Sequence, residues 1–231
     1  MPLVKTLIML CCVLLSALFL ASASAAPDDI SYAEHTPGYR HYNEAIRSYR
    51  SGQYPSAKYK FKVAARWGDK LSQFNLAVMN YHGQGTAQNP ARAWAWTTLA
   101  AERDYPLMLD MADQMYEGLT AAQRRQGRNI LENELKPEFG DEVAVERAER
   151  RMRRERRQAT GSRTGATNFL TVIDRYGRSR TGDDFYRAEA WDFGKVIETE
   201  TRLFKNLDYG TVRVRDVEAE DAAAEDDDSD S

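Results

Sequence analysis

The residues of this chain that could carry chemistry are concentrated in one strongly basic segment. Seven arginines fall within residues 147–157, a density that suits an anionic partner. The partner could be an acidic protein face, a cell-wall polymer or lipid headgroups, whereas export of the chain would disfavour nucleic acid. The competing interpretation is a solvated helix whose arginines pair with glutamates three and four residues away. From this segment we predict four partner-binding residues: Arg150, Arg153, Arg154 and Arg157.

A second candidate for anion binding follows this segment directly. The loop 161–165, Gly-Ser-Arg-Thr-Gly, could hold an anion with its backbone amides and with Arg163. It lacks the lysine and the spacing of a phosphate-binding loop, and a flexible connector is the alternative. Arg163 is therefore predicted as a partner-binding residue and not as part of a cofactor site.

The other polar residues form no catalytic pattern. No histidine lies at metal-ligand spacing from another histidine or a cysteine. Asp183 and Asp184 are adjacent in a predicted turn, so they point in different directions and cannot share a proton. We predict no catalytic, cofactor-binding or metal-binding residues and a non-enzymatic function. The alternative is an envelope hydrolase or wall-modifying enzyme with its chemistry in residues 160–217, using Asp174, Asp183, Asp184 and Glu189.

Residues 1–25 have the pattern of a secretory signal peptide. Lys5 precedes an apolar run from Leu7 to Leu20, and the small residues Ala23 and Ala25 mark the cleavage site. The run is shorter than the ~20 residues of a comfortable membrane span, so we predict no transmembrane segment after cleavage, with an uncleaved anchor as the alternative. Loss of Lys5 changes the net charge from −3 to −4, and both cysteines leave with the signal. The predicted location is periplasmic or secreted.

The elements that must position these residues show an internal repeat. Ala93 follows Ala57 by 36 residues, and Trp96 follows Phe61 at nearly the same spacing. Similarly, the Ala-Tyr-Gly pattern that begins at Ala77 recurs 35 residues later. Self-similarity with a period of ~20–50 residues is typical of stacked helical hairpins, whose small residues allow close helix packing.

Residues that begin and end helices delimit the hairpins. Gly52 is expected to end the first helix, and Pro55 suits the first turn of the second. Asn89 is a predicted N-cap, and Thr120 is expected to cap a helix that Pro137 stops.

On these residues the chain resembles the sel-one-like repeat, a variant of the tetratricopeptide family. The resemblance is carried by residues 77–85 and by the alanines and tryptophan of 93–101, and it covers roughly residues 42–118. It implies a right-handed α-solenoid used for protein–protein contact, often in bacterial envelopes. The chain lacks the disulfides of the cysteine-rich secreted members, so the resemblance transfers no activity special to them. The repeats themselves have no catalytic residues to transfer.

The predicted fold is mainly α, with a short α-solenoid of stacked hairpins, a long arginine-rich helix and a small α+β module. The expected organisation is a signal peptide (1–25), a leader (26–36), the repeat domain (37–136), the charged helix (137–159), the module (160–217) and a disordered acidic tail (218–231). The tail and the arginine helix could also attract each other. Of the many aromatic residues, Trp94 is predicted either to pack on the next hairpin or to line a concave groove, and Tyr59 is a second candidate anchor for a partner.

We therefore expect an exported, non-catalytic scaffold that binds a protein or peptide partner in the cell envelope through its helical repeats. The alternatives are the hydrolase described above and a protein that binds an anionic polymer or lipid headgroups through the arginine-rich helix. No cofactor is expected.

Overall fold

Apolar residues at helical spacing fold most of this chain into consecutive helices. The computed structural model describes residues 33–159, 170–173 and 179–206 of the 231 residues. In these ranges the fold is mainly helical, as the sequence predicts. The α-helices are α1 (Tyr39–Arg50), α2 (Tyr54–Ala65), α3 (Lys70–His82), α4 (Pro90–Ala100), α5 (Pro106–Glu117), α6 (Ala121–Ile130), α7 (Lys136–Phe139), α8 (Asp141–Ala159), α9 (Gly182–Phe185) and α10 (Phe193–Asn206).

Helix boundaries in the first half are set by the predicted turn and cap residues. Gly52 has φ 71°, a left-handed conformation that favours glycine directly after a helix. The Asn89 side chain accepts a hydrogen bond from the backbone N–H of Arg92 at 2.9 Å and caps α4. Thr120 and Gln123 form a reciprocal capping box at the start of α6. These boundaries confirm the corresponding sequence predictions.

Neighbouring helices bury the alanines and aromatic residues of the repeat. Helix α1 packs on α2, α2 on α3, and α3 on α4, and α4 also packs on α5 and α6. Ala57, Phe61 and Ala93 are fully buried, and Trp96 is 4% exposed, all in one hydrophobic cluster. Small residues at these positions let the helix backbones approach closely.

The helix that begins after Thr120 does not stop at Pro137. It changes into a π-helical turn, Leu131–Leu135, and continues as the short helix α7. Pro137 lies in the first turn of α7, directly after the π-helical turn. The chain instead breaks at Gly140, which is extended with ψ 153°, and α8 begins at Asp141.

The described part of the C-terminal module contains a β-hairpin and helices. Strands β1 (Thr171–Ile173) and β2 (Ser179–Thr181) are antiparallel, with Thr171 opposite Thr181. The residues from Ala188 to Asn206 form a 3-10 turn, Ala188–Trp191, and helix α10. Helix α10 and the 3-10 turn pack on α8. The predicted signal peptide, the C-terminal end of the predicted module and the acidic tail lie outside the described residues.

Residues 33–36, at the end of the predicted leader, are held against the module. His35 is 9% exposed, and its ring stacks on Trp191 with centroids 4.4 Å apart. Phe185 meets the same ring edge-on at 4.6 Å, and Arg180 lies 3.1 Å from the carboxylate of Glu34. The aromatic residues of the module bury this part of the leader, which its lack of helical periodicity did not reveal. No described helix is both long and apolar enough to cross a membrane.

Candidate functional site

Helix α8 presents arginines to solvent because its opposite face is buried. Ala144, Ala148 and Met152 recur every four residues and are fully buried. Ala148 and Met152 belong to the same hydrophobic cluster as Trp191 and Phe193. An α-helix turns by about 100° per residue, so residues at positions i, i+3, i+4 and i+7 lie on one face, and here that face is opposite the buried stripe. These positions are the four exposed predicted residues Arg150, Arg153, Arg154 and Arg157.

Pairing along the helix neutralises only part of this charge. Arg150 donates to Glu146 at 2.9 Å, and Arg153 donates to Glu149 at 2.8 Å. Exposed pairs of this kind contribute only ~0.3–0.5 kcal/mol, so a partner can displace them at little cost. Seven arginines against three glutamates over 146–157 leave four net positive charges. The helix therefore has the arginine–glutamate pairs expected of a solvated helix, and it also keeps an excess of positive charge over residues 146–157.

The other predicted partner-binding residues have different surroundings. Tyr59 is 71% exposed on α2 and is available to a partner. Trp94 is 8% exposed, with its ring 5.3 Å from the ring of Tyr116 and against Gly127 of α6. Of the two alternatives for Trp94, the structure shows packing on the following helices. Arg163 lies outside the described residues.

A buried lysine begins an ion cluster beneath the start of α8. Lys70 has no exposed surface, and its Nζ lies 2.7 Å from Glu102 Oε2 and 3.1 Å from Asp141 Oδ1. It also donates to the carbonyl of Leu99 at 3.0 Å and to Gln73 Oε1 at 3.2 Å. Because every neighbour is an acceptor, the buried ammonium is fully hydrogen-bonded, as burial of a charge requires.

Arg103 extends the cluster from the helices to the C-terminal module. Its guanidinium binds the Asp141 carboxylate through two bonds, at 2.8 and 3.0 Å. It also donates to Glu200 Oε2 of α10 at 2.6 Å and to the carbonyl of Gly68 at 2.9 Å. The Tyr105 hydroxyl donates to the same Glu200 oxygen at 2.9 Å. This planar fork joins three separate parts of the chain, a geometry that lysine could not reproduce.

The cluster shifts the pKa values of its members in opposite directions. Burial alone would raise the pKa of Asp141, but hydrogen bonds and charge from Arg103 and Lys70 outweigh it, and that pKa is lowered. Burial works against the Arg103 charge, yet Glu200 and Asp141 outweigh it and raise its pKa. For Asp69, burial and then the nearby Glu200 raise the pKa to about 6.

A small cavity adjoins this cluster. It measures about 30 Å³, and its lining includes Asp69, Arg103, Phe193 and Glu200. A space of that size has room for roughly one or two water molecules and not for a substrate. The cluster therefore fixes the positions of α3, α8 and α10, and it offers no binding pocket of useful size.

The residues of the hydrolase alternative do not meet in this cavity. Asp183, Asp184 and Glu189 are exposed, and none of them lines it. Asp184 belongs to the first turn of α9, which the Thr181 side chain caps through the backbone N–H of Asp184 at 3.2 Å. Asp174 lies outside the described residues. Across the described ranges, no group of three or more His, Cys, Asp and Glu side chains is placed to hold a metal ion.

Sequence reasoning did not single out the buried ion cluster. A signal was present, because Lys70 and Arg103 are lone cations beside apolar helical stretches. Their partners were not predictable, since Glu200 lies 97 positions from Arg103 and is brought there only by the fold.

Comparison with known protein families, with curated proteins and with solved structures gives no match for this chain.

Proposed function

We propose that this protein is an exported, non-catalytic scaffold that binds a protein or peptide partner in the cell envelope. Helices α1 to α6 would form a short α-solenoid of the sel-one-like type, and α8 would supply positive charge that attracts the partner. The sequential packing of α1 through α4 supports this arrangement. The signal-peptide pattern of residues 1–25 supports export, to the periplasm or beyond the cell.

The observation that carries the proposal is the exposed arginine face of α8. The stripe of Ala144, Ala148 and Met152 supplies the buried face by which α8 packs on the rest of the protein. On the exposed face the arginines outnumber the glutamates, and neighbouring like charges at i, i+4 spacing repel one another at a small cost to folding. An anionic partner offsets this repulsion, so partner binding gives the face a physical purpose.

Charge-neutral variants test the proposal in the source cells. The protein is cross-linked to its neighbours, captured, and compared with a variant that lacks four α8 charges: R150Q, R153Q, R154Q and R157Q. The matched control loses four exposed charges elsewhere: R40Q, R125Q, K136Q and K195Q. A discrete partner that is captured by the wild type and the control, and lost from the α8 variant, is the expected result.

Binding of an anionic surface through α8 is a second candidate, favoured by the same charge excess. Co-sedimentation with anionic liposomes at two salt concentrations separates the two, because purely electrostatic lipid binding collapses as salt rises. A partner held also by apolar and hydrogen-bonding contacts retains part of its affinity in high salt.

A further inference from the structure

The positive charge of α8 reaches the C-terminal end of α2 through a contact between Arg147 and Arg66. The guanidinium of Arg147 donates to the backbone carbonyl of Arg66 and, at 3.0 Å, to that of Glu138. Arg66 directly follows the last residue of α2, and its Nε lies 3.5 Å from Glu138 Oε1. The C-terminal end of α2 is therefore in direct contact with the N-terminal part of α8.

Side chains of both helices lie along this junction, and all except the half-buried Arg147 are exposed. Tyr59, Lys62 and Arg66 have the spacing i, i+3 and i+7, so they share one face of α2. Arg147 and Arg150 lie three residues apart on α8. We name this set of five residues, Tyr59, Lys62, Arg66, Arg147 and Arg150, the α2–α8 ridge.

Like charges lie close together on the ridge, which favours the binding of an anion there. Partial burial lowers the pKa of Arg147, and the charges of Arg66 and Arg150 lower it further against the opposing effect of Glu138. Beside the ridge, burial lowers the pKa of Lys58, followed by the charges of Arg92 and Lys62. The repulsion is present in the folded chain, so an added negative charge is favourable here.

We propose that the α2–α8 ridge binds an acidic polypeptide segment whose carboxylates pair with its cations and whose apolar side chain packs on Tyr59. The inference rests on the proposed function and names the chemistry of its partner. Guanidinium groups match carboxylates through two parallel hydrogen bonds. Tyr59, at 71% exposure, supplies a flat, largely apolar surface at low conformational cost.

Acids within the ridge favour a peptide over a uniformly charged polymer. Glu138 lies beside Arg66, and Glu146 accepts a hydrogen bond from Arg150. These carboxylates repel a chain that carries a phosphate at every unit. A peptide can place neutral or basic residues opposite them and acids opposite the cations.

The size of the ridge suits a short extended segment. Tyr59 to Arg66 spans about 10 Å along α2, and Arg147 to Arg150 spans about 5 Å along α8. An extended chain of roughly five to eight residues is long enough to contact side chains of both helices at the junction.

Fluorescence anisotropy with labelled peptides tests the ridge on the full chain. The probe is a 12-residue peptide of alternating Asp and Ser with one central Phe, and a second probe replaces Phe by Ser. The ridge variant is K62Q with R66Q, which leaves every arginine of α8 in place. Its matched control, R125Q with K195Q, removes two exposed charges elsewhere.

We expect the acidic peptide to bind the ridge variant about five- to tenfold more weakly than it binds wild type, and the control less than about twofold more weakly. Tyr59→Ser should weaken the Phe-containing probe and leave the Phe-free probe unchanged. Equal losses in both variants, or no binding to wild type, would overturn the inference. Tighter, ridge-dependent binding of a 12-nucleotide DNA strand or of phosphatidylglycerol vesicles would overturn it as well.

Failure of the ridge can be told apart from failure of the proposed function. If cell-envelope capture depends on the four α8 arginines but not on Lys62 and Arg66, the ridge is wrong and the scaffold function stands. If the peptide binds the ridge while no partner is captured in an α8-dependent way, the scaffold function fails.

Discussion

Arg103 and Glu200 lie 97 positions apart in the sequence, and their side chains meet at 2.6 Å. Arg103 lies in the 3-10 turn that follows α4, and Glu200 belongs to α10 in the C-terminal module. The same guanidinium binds Asp141 at the start of α8. One buried cation therefore joins the helical region, the arginine-rich helix and the module, and it fixes the position from which α8 presents its charges.

Replacing Arg103 with methionine should strongly destabilise the fold. The change leaves Glu200 and Asp141 without their main cation in a buried setting, at a cost of about 3–5 kcal/mol. Equilibrium urea unfolding measures the loss, and Arg125→Met at an exposed position of α6 is the control, with an expected effect within ~0.5 kcal/mol. Similar unfolding midpoints for the two variants would show that the cluster does not hold these elements together.

Gly127 should not tolerate a side chain, although it lies inside a helix. An added Cβ would come within 2.6 Å of the Trp94 ring, so Gly127→Ala overpacks the α4–α6 contact. The clash should outweigh the ~1 kcal/mol gain in helix propensity and give a net loss of about 1–3 kcal/mol. Thermal unfolding measures it. In a Trp94→Leu background the same change should cost less, and an undiminished cost there would contradict this packing account.

Close packing of the repeat alanines makes a related prediction. Ala100 is fully buried, so Ala100→Leu should overpack the helices and destabilise the protein by about 1–3 kcal/mol. Denaturant unfolding, with the exposed Ala122→Leu as control, measures the effect. No loss in the Ala100 variant would count against the predicted repeat register.

Acid should destabilise the protein partly through His35. Burial lowers the pKa of His35 from 6.5 to about 4, with Glu34 opposing the shift and Arg180 adding to it. The folded state favours the neutral ring, so His35 contributes to the free energy of unfolding in full above pH 6.5. This contribution, no more than about 3 kcal/mol, is lost as pH falls toward 4. His35→Phe should flatten the unfolding free energy over that window. An unchanged slope would show that His35 stays uncharged, or equally solvated, in both states.

Asp69 should act in the opposite sense. Its folded pKa is raised from 3.8 to about 6 by burial and by Glu200. The resulting stability is present below pH 3.8 and is lost as pH rises through about 6. Asp69→Asn keeps an acceptor for the Ser72 N–H, so the variant should gain stability relative to wild type between pH 4 and 7. Urea titrations across this range measure the gain, and a constant difference between the two proteins would contradict it.

Local signals in the sequence were sufficient for the helices and their caps. Gly52, Asn89 and Thr120 act through neighbouring backbone groups, so their effects can be read within a few residues. The arginine spacing on α8 was readable for the same reason. The prediction that Pro137 ends the helix was wrong because a π turn, which lies against α4, precedes it and the helix continues through α7.

Long-range relationships were beyond sequence reasoning. The burial of His35 depends on Trp191, which lies more than 150 positions later. The two rings meet only in the folded chain. The junction of Arg66 with Arg147 likewise needs the folded chain, since 81 positions separate them. The ridge was therefore invisible as a unit, although Tyr59 and Arg150 were each predicted as binding residues.

The most direct measurement of the central claim is quantitative mass spectrometry of proteins cross-linked to this chain in its own cells. Wild type is compared with the variant that lacks the charges of Arg150, Arg153, Arg154 and Arg157, and with the charge-matched control, after all three show the same thermal midpoint. The account predicts one discrete partner that is enriched with wild type and control and lost at least about tenfold with the α8 variant. Equal recovery with both variants, or no enriched protein at all, would contradict a partner-binding role for the arginine face.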